Sequence, residues 1–315
     1  MAELTNPHDR FFKDLLARPE AARDFLRHYL PAEVVALLDI SDLEMAKDSF
    51  VDAELREYFS DLLFKVRTSE GGNAYLYVLF EHKSHPDAMV AFQLLRYMVR
   101  IWEHHLRQHG SLWPIVPVVV YHGEKPWRVE RNLQALFDLP EALRGYTPEY
   151  RYGLCDLSAY DDGQLKGELL LQVGLLALKY IFRAELRERL PALVAMLREL
   201  MEQETAVEYI QTVLRYLTKA TDRITEDDLR TVMRDVFPEG EAMMGTIAEK
   251  WIEQGRRQGL LDGIELAVEL RFGPEGLRLF PEIAKIEDID VLGRIHAAIK
   301  QANSPAELRR IYQNE

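Results

Sequence analysis

Ser60-Asp-Leu-Leu-Phe-Lys-Val66, Ser69-Glu-Gly-Gly-Asn73 and Ala74-Tyr-Leu-Tyr-Val-Leu-Phe-Glu-His-Lys83 follow one another almost without a break. Two apolar runs around a glycine pair read as a β-hairpin, and the second run is the best strand candidate in the chain. If the turn is symmetric about Gly71, residues pair when their numbers add to 142, which sets Asp61 opposite Glu81. Side chains opposed in this way stand about 4.5–5.5 Å apart on one face of the sheet. Lys83 lies two residues from Glu81 and shares that face. Leu62, Phe64, Val78 and Phe80 take the other. A slip of one residue would scatter the set.

Two facing carboxylates repel unless a cation sits between them. Their oxygens are hard donors suited to Mg²⁺, which keeps several waters and bridges readily to phosphate. Such an ion polarises a phosphoryl oxygen and lowers the pKa of bound water, while a lysine offsets charge growing on the phosphate. Phosphodiester hydrolysis needs little more. The plain alternative is a solvated cross-strand charge cluster, common for so short a pattern. Against it, the acids end strands rich in aromatic and aliphatic residues, beside Pro86 and a helix.

Outward from the hairpin, Asn6-Pro7 with Asp9 opens a helix. Phe11, Leu15, Phe25, Leu26 and Tyr29 give two helical stretches apolar faces, broken near Pro19 and closed by Pro31. Phe50-Val51 looks extended. A long amphipathic helix is expected from about Asp87 to Gln108, ended by Gly110, and Ile115–Tyr121 reads as a strand covered on both faces. The result is a sheet with helices packed on it. Residues 124–160 look irregular, and Asp161-Asp162-Gly163 looks like a boundary. Helical segments follow at Leu165–Leu190, Ala192–Glu204, Val207–Leu217 and Glu226–Val236. A long helix then runs from about Glu241 to Arg271, stopped by Gly273-Pro274, and a last helical pair splits near Ser304-Pro305. The expected domains are 1–160 and 161–315.

The chain has 315 residues, 48% hydrophobic and 29% charged, with a net charge of −13. This is globular composition. Both halves are acidic, residues 1–160 carrying 18 basic against 24 acidic groups and residues 161–315 carrying 21 against 28. A broad nucleic-acid-coating surface is therefore not expected, and any DNA contact must use local patches and metal. No apolar run approaches a membrane span. The start lacks a signal-peptide pattern and Cys155 stands alone, so a reducing, cytoplasmic setting is expected.

Five segments in order, His8-Asp-Arg-Phe-Phe-Lys13, Ser60-Asp-Leu-Leu-Phe-Lys65, Phe80-Glu-His-Lys-Ser84, Arg96-Tyr-Met98 and Pro117-Val-Val-Val-Tyr-His-Gly123, resemble the recombination-promoting nuclease family. That family is also called putative transposases and falls in the PD-(D/E)xK nuclease superfamily. The resemblance covers residues 5–160 well and extends more loosely to the Glu-Gln-Gly-Arg-Arg-Gln-Gly segment at 253–259. It implies a restriction-endonuclease-like αβββαβ core with an all-α C-terminal region. It further implies a Mg²⁺-dependent endodeoxyribonuclease (with Mn²⁺ or Ca²⁺ as other candidate ions), acting on DNA in recombination or mobile-element biology. By the resemblance Asp61 and Glu81 are metal ligands and Lys83 the catalytic lysine. Gln93 and Tyr97 resemble the Gln-xxx-Tyr element of RecB-type nucleases that supports the site. Asp9 is a further candidate ligand, although an acid in a first helical turn also complements the dipole. Serine precedes Asp61 where the superfamily pattern has proline.

His105 and His109, four apart on a helix, lack the glutamate of a zincin motif. His82 should point away from Glu81's face, a structural or substrate-contacting residue rather than a ligand. Gly255, Gly259 and Gly263 suggest either close helix approach, and so a homo-oligomer through the C-terminal region, or simply a weak helix. The competing class is a catalytically silent DNA-binding or regulatory module that keeps the fold. Strand joining, as in a true transposase, has no support in the residues.

Overall fold

In the computed structural model, which describes residues 6–46, 62–69, 75–138, 140–201, 206–302 and 304–313, the chain begins with α1 (Pro7–Leu16). The Asn6 side chain accepts from the His8 N–H, Pro7 occupies the first turn, and Phe11, Phe12, Leu15 and Leu16 form one buried face. After α2 (Pro19–Tyr29) and the short α3 (Ala32–Val35) come β1 (Leu38–Met45), β2 (Leu62–Thr68), β3 (Tyr75–Lys83), α4 (Val90–His109), β4 (Ile115–Tyr121) and β5 (Gly153–Asp156). The five strands form one sheet in chain order, with β1, β2 and β3 antiparallel and β3, β4 and β5 parallel.

The hairpin keeps the expected register. Its pairs run from Leu62 opposite Phe80 to Arg67 opposite Tyr75, their numbers always adding to 142. Asp61, Phe50 and Val51 lie outside the described residues. α4 covers one face of the sheet, packing Val90, Leu94, Met98 and Ile101 against Leu63, Ile115 and Val119. It ends where Gly110 takes a left-handed φ of 68° and donates to Leu106, the expected C-terminal glycine.

Two strands were not foreseen. β1 carries Asp39, Ser41, Asp42 and Glu44, and its buried residues Leu38 and Leu43 stand an odd number apart. A register irregularity between Asp39 and Leu43 lets both point inward, which erases the alternation a strand normally shows. β5 has only four residues and takes its strand state from pairing with Val118–Tyr121.

The boundary expected at residue 161 is also corrected. Residues Thr5–Phe237 form one compact unit and Pro238 onward another. α5 (Leu169–Tyr180), α6 (Leu186–Leu200), α7 (Ala206–Lys219) and α8 (Glu226–Val236) thus belong with the sheet. α1 packs on both α5 and α7, and Phe11 stacks on Tyr216 with ring centroids 4.0 Å apart. Asp162, at the expected boundary, accepts from Lys179 Nζ at 2.6 Å and from the Tyr180 hydroxyl. The expected single helix Leu165–Leu190 breaks after Tyr180, and Pro191 lies inside α6 rather than before it.

The second unit holds α9 (Pro238–Leu277), kinked at Gly273 with φ 59°, then α10 (Phe280–Ile283), α11 (Ile289–Ile299) and α12 (Pro305–Gln313). Ile264, Val268, Leu292 and Ile295 form its core. Gly263 faces His296 of α11, where a Cβ would stand 3.2 Å from the ring, so this glycine already serves internal packing. Among the described residues no helix is long and apolar enough to cross a membrane.

Candidate active site

Lys83 is the last residue of β3. Parallel pairing sets it beside Tyr121, and its carbonyl accepts the His122 N–H at 3.1 Å, so the backbone here is fixed by β4. Gly123 is needed directly after. A Cβ there would stand 2.6 Å from the Ser84 carbonyl and closer still to the Tyr121 ring.

From this anchor the Lys83 side chain, 14% exposed, reaches toward the start of α4. Its Nζ donates to Gln93 Oε1 at 2.8 Å and to Asp87 Oδ2 at 3.1 Å. Gln93 in turn donates through Nε2 to the Tyr97 hydroxyl at 2.6 Å. The lysine fixes the amide's orientation, because an ammonium can only donate. Gln93 and Tyr97 therefore stand on one face of α4 in a continuous chain with Lys83.

Asp87 was missed in the sequence. Its Oδ1 accepts the Met89 N–H at 2.9 Å, turning the chain into α4 while Oδ2 holds the lysine. Burial alone would raise its pKa. The Met89 N–H and the Lys83 ammonium outweigh that and keep the carboxyl below the usual range. The available signal was Pro86-Asp87 just ahead of a helix, four residues from a candidate lysine.

Residue 81 lies two positions before Lys83 on β3, paired with Val119. Its side chain, like the whole of Asp61, lies outside the described residues. Asp9 is bound by Lys13 Nζ at 2.8 Å within α1, and no described hydrogen bond or ion pair joins it to Lys83 or Gln93.

The other side of β3 is dry. His82 is buried, stacked on Phe12 at 5.1 Å and on His122 at 4.5 Å. Burial holds the His82 imidazole well below its ordinary pKa, with His122 and His8 adding repulsion. His122, whose Nδ1 donates to the Leu178 carbonyl at 3.0 Å, is pushed down to about 3, burial again dominating. Both rings are neutral and pack the strand ends against α1 and α5. His105 and His109 stack with Trp113 instead. Among the described residues no three His, Cys, Asp or Glu side chains are placed to hold a metal ion.

A mixed sheet thus presents, at the end of a central strand, a lysine held by an acid and an amide from the following helix. The chain belongs to the family described as "Putative transposase, YhgA-like", which matches residues 6–208. That span runs from α1 into α7, across the boundary first expected. The chain is 30% identical over 280 residues to Recombination-promoting nuclease RpnA of Escherichia coli strain K12, covering 85% of this chain and 94% of that protein. It is 31% identical over 257 residues to Recombination-promoting nuclease RpnC of the same strain, covering 81% and 83%. Similarity of the same order, 30% over 271 residues and 84% and 88% of the two chains, links it to Inactive recombination-promoting nuclease-like protein RpnE, also of strain K12. No solved structure matches the chain.

Proposed function

We propose that this chain is a metal-dependent endodeoxyribonuclease with a PD-(D/E)xK core, acting in DNA recombination. The setting of Lys83 carries the reading. An ammonium oriented by Gln93 and Asp87 at the end of β3, two residues from position 81, is where phosphoryl charge would be met. The sequence pairs Asp61 with Glu81, and all six observed hairpin pairs follow the same register. Two carboxylates beside a lysine form an oxygen donor set that fits Mg²⁺. When bound, the ion supplies Lewis-acid polarisation of the phosphodiester. Lys83 offsets charge on the transferring phosphate and positions the attacking water. Gln93 keeps the ammonium from swinging to solvent, and Tyr97 fixes Gln93. The relatives named as recombination-promoting nucleases support both the chemistry and the DNA substrate.

Supercoiled plasmid incubated with each divalent metal, and with EDTA, tests this. Wild type should nick with Mg²⁺ and stop on chelation, while Glu81→Ala and Asp61→Ala should lose at least about 100-fold in rate. Cutting by Asp61→Ala at the wild-type rate would remove the site assignment.

A second reading has its own support, since a relative of equal identity is named inactive. On that reading the chain is a silent DNA-binding or regulatory module, and wild type would retard DNA without nicking it under any metal. On either reading we place the protein in the cytoplasm. The unit from Pro238 onward then serves assembly or targeting, its homo-oligomer measurable by light scattering.

A further inference from the structure

A groove of about 700 Å³ opens at the Ile115–Pro117 end of β4, between α3 and the ribbon of residues 127–132 and 151–154. Arg128, Arg131 and Arg151 line it, and all three are exposed. Among the described residues no ion pair or hydrogen bond engages any of their side chains. In a chain of net charge −13, a concavity lined by three guanidinium groups against two carboxylates is a local departure toward positive charge.

The ribbon that carries them is rigid. Asn132 pairs antiparallel with Arg151, the Tyr152 N–H donates to the Arg131 carbonyl at 3.1 Å, and the Leu133 N–H donates to the Tyr150 carbonyl at 3.2 Å. The buried Trp127 donates its N–H to Asp156 Oδ2 at 2.9 Å, and the Tyr150 hydroxyl donates to the Ala91 carbonyl of α4. The arginine backbones are therefore held in place before any ligand arrives. Such preorganisation lowers the cost of binding.

We propose that this groove binds the sugar–phosphate backbone of a nucleic acid away from the scissile bond. Arginine forks match phosphate oxygens in pairs, which favours this occupant over an apolar one. Glu33 and Glu130 also line the groove. They limit it to a backbone whose phosphates meet the arginines, and keep it from being a general anion sink. Lys83 pairs with Tyr121 at the far end of the same strand. Six strand steps of about 3.3 Å separate Ile115 from Tyr121, roughly 20 Å. At about 3.4 Å per nucleotide along one strand, that is about six nucleotides. The groove thus holds flanking substrate if the nuclease reading stands, and it does not depend on cleavage for its own test.

The test is anisotropy of a fluorescent 30-base-pair duplex against salt, in EDTA so that nothing is cut. Each phosphate contact contributes about 0.9 to the slope of log affinity against log salt. Arg128→Ala/Arg131→Ala/Arg151→Ala should flatten that slope by about 2.7. Between 50 and 200 mM salt, wild type should then lose roughly 40-fold more affinity than the variant. Glu33→Lys, which leaves the ribbon untouched, should steepen the slope by about 0.9 and guards against misfolding of the triple variant. Unchanged slopes in both variants overturn the proposal. So does a duplex that fails to compete while an acidic peptide binds through the same arginines. Nicking by wild type with unchanged slopes would sink the groove alone. Altered slopes without nicking would sink only the nuclease reading.

Discussion

At the scale of single residues, Gln93 has the most defined task. Its carbonyl oxygen faces the Lys83 ammonium and its amide faces Tyr97, so one side chain links β3 to α4. Gln93→Ala removes both contacts while leaving the lysine and its Asp87 partner in place. We expect cleavage to fall about 10- to 100-fold, the usual cost of losing a group that orients a reacting one. Because Gln93 positions rather than reacts, the drop should fall on kcat and spare KM. Gln93→Glu should restore the lysine contact in part. An alanine variant with unchanged kcat would make the chain of hydrogen bonds merely structural. Gln93 and Tyr97 were legible in the sequence through their resemblance to the Gln-xxx-Tyr element, whose four-residue spacing gives a shared helical face. Asp87 was not, because its role depends on a turn whose direction only tertiary contacts set.

At the scale of elements, legibility followed periodicity. The hairpin register, β4 and α4 were readable from alternation, a doubly covered apolar run and a left-handed glycine cap. β1 was hidden because its bulge puts Leu38 and Leu43 on one side despite odd spacing. β5 was hidden because four residues carry no period at all. The turn that joins β4 to the site deserves its own measurement. Gly123→Ala would press a methyl group into the Ser84 carbonyl and the Tyr121 ring. The strands would have to part where Lys83 is anchored, at a cost of about 2 kcal/mol. A lower denaturant midpoint with an unchanged m-value is expected. A midpoint within error of wild type would show that the loop can yield freely.

At the scale of the whole molecule, the helices between residues 161 and 237 belong to the same compact unit as the sheet. Asp162 accepts from Lys179, which is 4% exposed, and from Tyr180, while Arg189 stands 3.5 Å away. Composition alone marked Asp161-Asp162-Gly163 as a boundary, since acidic and glycine-rich runs are usually solvated. A buried lysine seventeen residues later reversed its meaning. Burial alone would raise the pKa of Asp162; the Lys179 and Tyr180 hydrogen bonds lower it below the ordinary value. Its stabilising contribution is therefore complete above the unfolded carboxylate value of about 3.9 and is lost as pH falls through the lower folded value. Asp162→Asn leaves Lys179 buried beside a neutral partner and should cost about 3 kcal/mol at pH 7. As pH falls through the lowered folded value of Asp162 the variant and wild type should converge. A constant difference across that range would mean the carboxylate charge is not what joins the two halves of the unit.

Lys83 remains the centre of the account, and single-turnover nicking of supercoiled plasmid in Mg²⁺ tests it most directly. Lys83→Ala should cost about 1 kcal/mol of stability, because the partly exposed Asp87 loses its partner. It should lower the nicking rate by at least about 100-fold, with calcium binding by titration calorimetry retained. Nicking by the folded variant within a few-fold of wild type would contradict the assignment of Lys83 as the residue that meets the phosphate.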